Sequence, residues 1–130
     1  MATETTVQSN IIDYINSLPN GMAENVSGNA RQSGRADINA CIRGRTFKIE
    51  VKTEDTEYGR EGATLKQRLY LEKWARAGAV ACVAYNIGDV AYVIAIMEGL
   101  IPTLSIVDMQ VSGRGKWYDV QNKRWVDISY

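Results

Sequence analysis

The sequence predicts an α/β protein with a mixed β-sheet core of the order α-β-β-α-β-β, flanked by helices and followed by a C-terminal β-hairpin. Three patterns support this: an apolar stripe at helical spacing, two adjacent segments that alternate apolar and polar residues, and a polar helix before a buried strand. A strand-helix-strand unit makes parallel neighbours with a right-handed crossover. With 130 residues, 45% of them hydrophobic, the chain fits one domain with a core of its own, predicted over 1–130.

The first helix is predicted over 5–18, where apolar residues recur at helical spacing and Pro19-Asn20-Gly21 ends the run. The following residues up to 35 are rich in Asn, Gly and Ser and predict a loop. Residues 36–43 and 46–53 alternate apolar and polar side chains on either side of a tight turn. These two segments therefore predict an antiparallel hairpin.

A second long helix is predicted from Thr64 to Gly78, followed by an apolar strand over 79–85. A turn at Asn86-Ile87-Gly88-Asp89 then leads into 90–97, predicted as another strand. Residues 104–111 are apolar but ambiguous between helix and strand. The chain closes on a predicted hairpin, formed by 116–120 and 124–128.

The composition excludes several classes of site. The chain has no His, which rules out a Ser-His-Asp triad, a Cys-His pair and His-ligated zinc. Cys41 and Cys82 lie far apart in apolar segments and predict reduced core residues of an intracellular protein. The N-terminus has no signal-peptide pattern, and no apolar run approaches the ~20 residues of a membrane helix. We therefore expect a cytoplasmic protein with no membrane partner.

The zero net charge is unevenly distributed. Residues 31–76 carry eleven basic and seven acidic residues, a net charge of +4, whereas 1–30 and 77–112 each carry −3. The basic segment also contains the candidate site, which is compatible with a partner that bears phosphate groups. Candidate contacts to DNA phosphates in this segment are Arg31, Arg35, Arg60 and Lys66.

The candidate site lies on the predicted hairpin. Glu50 and Lys52 are two residues apart on one strand, so both side chains leave the same face, and Asp37 begins the neighbouring strand. The Asp37 and Glu50 carboxylates, with the Val51 carbonyl, are oxygen ligands that suit Mg²⁺ or Mn²⁺. Lys52 would then orient a water molecule or stabilise developing phosphoryl charge. The alternative is a solvated strand face, on which Lys48, Glu50 and Lys52 form cross-strand ion pairs to Asp37 or Arg43.

An Asp, a short hairpin and Glu-x-Lys before a helix together resemble the PD-(D/E)xK nuclease superfamily, and more narrowly the VRR-NUC nucleases. Glu4-Thr5-Thr6-Val7-Gln8 resembles that family's N-terminal Glu-x-x-x-Gln. The Asn-rich loop and Gln67 lie where the family has a similar loop and a helical Gln, whereas Ala36 stands where Pro is common. The resemblance covers roughly 4–97 and leaves 98–130 as an extension.

The resemblance implies a restriction-endonuclease-like fold, related to Holliday-junction resolvases and often carried by phages. It implies a Mg²⁺- or Mn²⁺-dependent endonuclease that hydrolyses DNA phosphodiester bonds, prefers branched DNA and acts as a homodimer. By matching positions, Asp37 and Glu50 are metal-binding acids, Lys52 is the catalytic lysine, Gln67 is an active-site residue and Glu4 is an auxiliary metal ligand.

Several alternatives stay open on the sequence. Gln67 also completes a capping box with Thr64. The C-terminal hairpin could pack against a partner copy or extend its own sheet. The whole chain could instead be an inactive DNA-binding module on the same fold, or an intracellular accessory protein.

Overall fold

The computed structural model of the chain describes residues 3–26, 36–96, 105–108, 116–119 and 122–127. Its elements are α1 (Glu4–Ser17), β1 (Gly21–Asn25), β2 (Ile38–Ile42), β3 (Arg45–Val51), α2 (Glu57–Arg60), α3 (Leu65–Arg76), β4 (Val80–Ala84), α4 (Ile87–Ile96), β5 (Ser105–Asp108), β6 (Lys116–Asp119) and β7 (Arg124–Asp127). The strands form one sheet in chain order, with β3–β4 and β4–β5 parallel and the other pairs antiparallel. The predicted mixed α/β fold is confirmed.

Helices cover the two faces of the sheet. The helix α1 begins at Thr3, whose side chain accepts a hydrogen bond from the Thr6 N–H, and it buries Val7, Ile11 and Ile15. This apolar stripe and α4 share one core with the sheet face that carries Ile49. The helix α3 packs on the opposite face through a second cluster, which includes Leu71, Ala75, Ala81, Val83 and Tyr85.

The β2–β3 hairpin forms as the alternation predicts. Ile42 pairs with Arg45, so the connection is the two-residue turn Arg43-Gly44. Both residues have positive φ, 51° and 82°, as in the type I′ turn that matches the twist of a hairpin. Glycine at the second position adopts this backbone without steric strain.

The predicted loop over 19–35 is wrong in its first part, because β1 occupies Gly21–Asn25. The strand pairs antiparallel with β2, and a side chain of α1, Asn16, binds its backbone. The Asn16 side chain accepts from the Ala23 N–H at 2.8 Å and donates to the Ala23 carbonyl at 3.4 Å. Only Ala23 is buried in this strand, so its apolar pattern is too short to be recognised. Residues 27–35 of the predicted loop lie outside the described residues.

The predicted strand over 90–97 is also wrong, because this segment lies in α4. Asn86 Oδ1 accepts from the Asp89 N–H at 2.8 Å, so the predicted turn is the start of a helix. Val90 and Val93 are buried three residues apart. A continuous apolar run fits a buried helix and a buried strand equally well, which explains the error. Met97 lies outside the described residues.

Apart from the one-turn helix α2, which the sequence did not predict, the remaining elements agree with the sequence. The helix α3 and the strand β4 lie within the predicted segments and form a parallel strand-helix-strand unit with β3. The ambiguous segment contains β5, which pairs with β4. The C-terminal hairpin β6–β7 pairs with β5 and so extends its own sheet, one of the two alternatives. Within the described ranges, no helix is both long and apolar enough to span a membrane.

Candidate functional site

The strand β3 and the residue that follows it place two charged side chains in a buried environment. Glu50 and Lys52 are each 1% exposed, and Lys48 on the same face is 5% exposed. The ammonium of Lys48 lies over the Trp74 ring of α3, 3.8 Å from its centroid. The alternative of a solvated strand face is therefore wrong, because all three side chains are buried and α3 contacts Lys48 and Glu50. Charged side chains are seldom fully buried unless they are paired or belong to a functional site, so this face is the candidate site.

Asp37 reaches the same place from the residue before β2. Its Oδ2 accepts a hydrogen bond from the Val51 N–H at 2.8 Å, and the side chain is buried. Burial raises the pKa of Asp37 above its usual value, whereas the Val51 hydrogen bond and the positive charge of Lys52 oppose the increase. The hairpin register thus brings both predicted carboxylates together at one end of β3.

Glu50 is the most constrained of these groups. Its Oε1 accepts from Gln67 Nε2 at 2.7 Å and lies 3.7 Å from Lys52 Nζ. Its Oε2 is buried and accepts no hydrogen bond from a described residue, whereas in the protonated carboxyl it donates one to Asp37. Burial, followed by repulsion from Asp37, raises the pKa of Glu50 to about 9, although Lys52 opposes the shift. Without a cation, the folded protein therefore keeps Glu50 protonated at neutral pH.

Gln67 caps α3 and also contacts Glu50. As the third residue of α3 it completes the capping box, since its Oε1 accepts from the Thr64 N–H at 2.8 Å and its own N–H donates to Thr64 Oγ1 at 3.2 Å. Its Nε2 remains available and donates to Glu50. The cap thus fixes the amide in an orientation that holds Oε1 of Glu50.

Glu4 lies at the first turn of α1 and is close enough to Asp37 for their charges to interact. Partial burial, followed by repulsion from Asp37, raises the pKa of Glu4, and Lys52 lowers it. Across the part of the chain that the structure describes, however, no three acidic, His or Cys side chains are grouped closely enough to hold a metal ion. Glu4 as an auxiliary ligand stays a prediction.

The carboxylate pair fits a hard divalent cation. Glu50 Oε2 is a buried oxygen that accepts no hydrogen bond from the described residues, and a bound cation would compensate the like charges that Glu50 and Asp37 carry once both are ionised. Mg²⁺ and Mn²⁺ favour such oxygen ligands, and Mg²⁺ is often held by only one or two carboxylates. The Val51 carbonyl as a further ligand stays a prediction.

Of the four basic residues predicted to contact DNA phosphates, two lie in described segments. Arg60 of α2 is exposed, and its Nη1 donates to the Glu54 carbonyl at 2.7 Å. Lys66 is exposed in the first turn of α3, the helix that also carries Gln67. Arg31 and Arg35 lie outside the described residues. A cavity of about 430 Å³ is lined by residues that include Val7, Asn10, Thr53, Tyr85 and Asn86, and none of the four predicted catalytic residues lines it.

Gln8 and Asn25 form a polar contact that the sequence did not predict. In the structure Asn25 Nδ2 donates to Gln8 Oε1 at 3.2 Å, and Gln8 is buried. This contact joins the buried face of α1 to the end of β1. Gln8 lies four residues after Glu4, and this helical spacing is the signal that both residues lie on the same face.

No family model and no curated protein match the chain. Among solved structures, the chain matches one described as a VRR_NUC domain, with a TM-score of 0.53 and 23% sequence identity. The match covers 75% of this chain and 97% of that one. The chain therefore has the fold of a VRR_NUC domain, which confirms the restriction-endonuclease-like architecture predicted above.

Proposed function

We propose that this chain, having the fold of a VRR_NUC domain, is a nuclease of that family that hydrolyses DNA phosphodiester bonds with Mg²⁺ or Mn²⁺. The observation that carries the proposal is the buried group formed by Asp37, Glu50 and Lys52 beside the half-buried Gln67, in which one buried carboxylate oxygen accepts no hydrogen bond from the described residues. A structural ion pair would satisfy its own hydrogen bonds, whereas a ligand site leaves an acceptor available.

Each residue has a distinct role in the proposed chemistry. A divalent cation, when bound, would neutralise phosphate charge and acidify water. Asp37 and Glu50 would hold that cation, and Gln67 keeps the Glu50 carboxylate in its rotamer. Lys52 holds a positive charge 3.7 Å from Glu50 Oε1, where its N–H groups can bind phosphate oxygens or orient water. Because the chain has no His, proton transfer falls to Lys52, the carboxylates or solvent.

The substrate and assembly follow from the same proposal. Exposed Arg60 and Lys66, together with Arg31 and Arg35, would bind the DNA backbone. We propose branched DNA as the preferred substrate and a homodimer as the active form, because two opposed cuts require two sites in antiparallel orientation.

The test incubates the protein with linear, flapped, forked and four-way DNA in Mg²⁺, in Mn²⁺ and in EDTA. We expect metal-dependent cleavage that Glu50→Gln and Lys52→Gln each reduce by at least 100-fold, on the order of a lost transition-state contact. Glu72→Gln is the control, because Glu72 pairs with Arg76 on α3. Cleavage by either site variant at the parent rate would refute the site. Salt-sensitive DNA binding without cleavage would indicate an inactive binding module, and absence of both would indicate an accessory protein.

A further inference from the structure

The segment after Lys52 folds back closely onto the end of β3. Thr53 is buried, and its Oγ1 accepts from the Asp55 N–H at 3.2 Å. The short helix α2 then packs on this residue so closely that a Cβ added at Gly59 would overlap the Thr53 carbonyl oxygen. Glycine at position 59 therefore permits a backbone approach that any larger residue would prevent.

A buried hydroxyl holds α2 in this place. Tyr85, which follows β4 and is 6% exposed, donates from its hydroxyl to the Gly59 carbonyl at 2.9 Å. The preceding residue, Ala84, accepts the Lys52 N–H at 3.0 Å. The Tyr85 backbone is fixed in turn, because its N–H donates to Asp89 Oδ2 at 2.8 Å. These contacts surround the Lys52 backbone. Ala84 binds its N–H, and the next residue, Tyr85, binds Gly59, which packs on Thr53, the residue after Lys52.

We propose that Tyr85 and Gly59 are positioning residues that hold the Lys52 ammonium beside Glu50. Lys52 lies one residue beyond β3, so its backbone is held by β4 on one side and by the Thr53–Gly59 contact on the other. A lysine side chain has four rotatable bonds, so a small shift at its Cα moves the ammonium by a larger distance. The expected effect on cleavage rests on the proposed function, whereas the effect on the Lys52 environment does not.

The first test compares Tyr85→Phe with Tyr70→Phe, which removes a hydroxyl from a half-buried tyrosine of α3. The readouts are kcat and KM for DNA cleavage, the thermal midpoint, and the NMR signal of the Lys52 Cε in chelator. For Tyr85→Phe we expect kcat to fall about tenfold while KM stays within about twofold, because misplacement of a reacting group mainly affects the transition state. The Lys52 signal shifts towards that of exposed lysines, and the control matches the parent.

The second test compares Gly59→Ala with Glu57→Ala in the same short helix. Helix propensity alone predicts that Gly59→Ala is harmless. The overlap with Thr53 instead predicts a shifted Lys52 signal and a loss of kcat at least as large as that of Tyr85→Phe. The double variant loses less than the product of the two single losses, because both act through one contact.

The outcomes separate this inference from the proposed function. A Lys52 signal that does not move in Tyr85→Phe and Gly59→Ala overturns the positioning role, whatever the activity. A kcat equal to that of the parent in both variants overturns it as well. If the parent cleaves no DNA but the Lys52 signal shifts in both variants and not in the controls, the proposed function fails and the positioning role stands.

Discussion

Replacing Glu50 by Gln is expected to stabilise the protein in the absence of divalent cations. Gln keeps the acceptor that binds Gln67 Nε2, and it places an amide donor at the position of Oε2, next to the carboxylate of Asp37. The variant therefore removes an unfavourable buried acid while preserving the shape and the one strong hydrogen bond of the native side chain.

The magnitude follows from proton linkage. Burial and Asp37 raise the pKa of Glu50 from 4.5 to about 9 in the folded protein. At pH 7 the unfolded chain has released this proton and the folded chain has kept it, so raising the pH favours unfolding. The penalty grows by about 1.4 kcal/mol per pH unit above the unfolded pKa, which gives roughly 3 kcal/mol at pH 7 and less than about 1 kcal/mol at pH 5. The penalty is absent below pH 4.5 and stops growing above about pH 9.

Thermal unfolding in EDTA at pH 5 and pH 7 measures this effect. We expect Glu50→Gln to raise the unfolding midpoint at pH 7 by roughly 10 °C, with a much smaller gain at pH 5. Glu24→Gln is the control, because Glu24 is an exposed acid on β1 and its replacement should change stability by less than about 0.5 kcal/mol.

Adding Mn²⁺ should remove most of the difference in stability between the parent and the variant at pH 7. A cation that binds only the folded parent stabilises it by about 2.7 kcal/mol at 100 times its dissociation constant, and the variant, lacking one carboxylate, gains little. If the thermal midpoint of Glu50→Gln at pH 7 in EDTA does not exceed that of the parent, the argument from burial is refuted. A gain of equal size at pH 5 and pH 7 would refute the assignment to Glu50 ionisation.

Three further predictions concern the same group and the assembly. Asp37→Asn should weaken Mn²⁺ binding in calorimetry by at least tenfold while changing DNA affinity by less than about threefold, because a hard cation needs the lost charge; equal Mn²⁺ affinity would exclude Asp37 as a ligand. Gln67→Ala should lower stability by about 1–2 kcal/mol in urea unfolding, since Thr64 loses its capping partner and Glu50 its donor; unchanged stability would mean that neither hydrogen bond contributes. Light scattering at tens of micromolar should give twice the 14.5 kDa chain mass, and a monomer that still makes paired cuts in a junction would contradict the symmetric dimer.

Elements with strong local patterns were predictable from the sequence. The apolar stripe of α1, the alternation in β2 and β3, and the capping signal of α3 each depend on neighbouring residues alone. The hairpin pattern was enough to predict that Asp37, Glu50 and Lys52 meet, whereas the place of Gln67 was implied by the family resemblance.

Other elements depended on contacts that no local pattern records. The strand β1 forms because β2 and the Asn16 side chain satisfy its backbone, although it buries only Ala23. The apolar run of α4 would fit either a helix or a strand. The Asn86 cap and the packing of Val90 and Val93 decide in favour of the helix.

The character of the candidate site was also decided by the tertiary structure. The sequence determined which charged residues share a strand face, since this follows from the period of two. Whether that face is solvated or buried depends on α3, which packs across it, and this packing raises the pKa of Glu50, whose Oε2 accepts no hydrogen bond from the described residues. Burial and electrostatic shifts are properties of groups brought together from distant parts of the chain, so they exist only once the chain has folded.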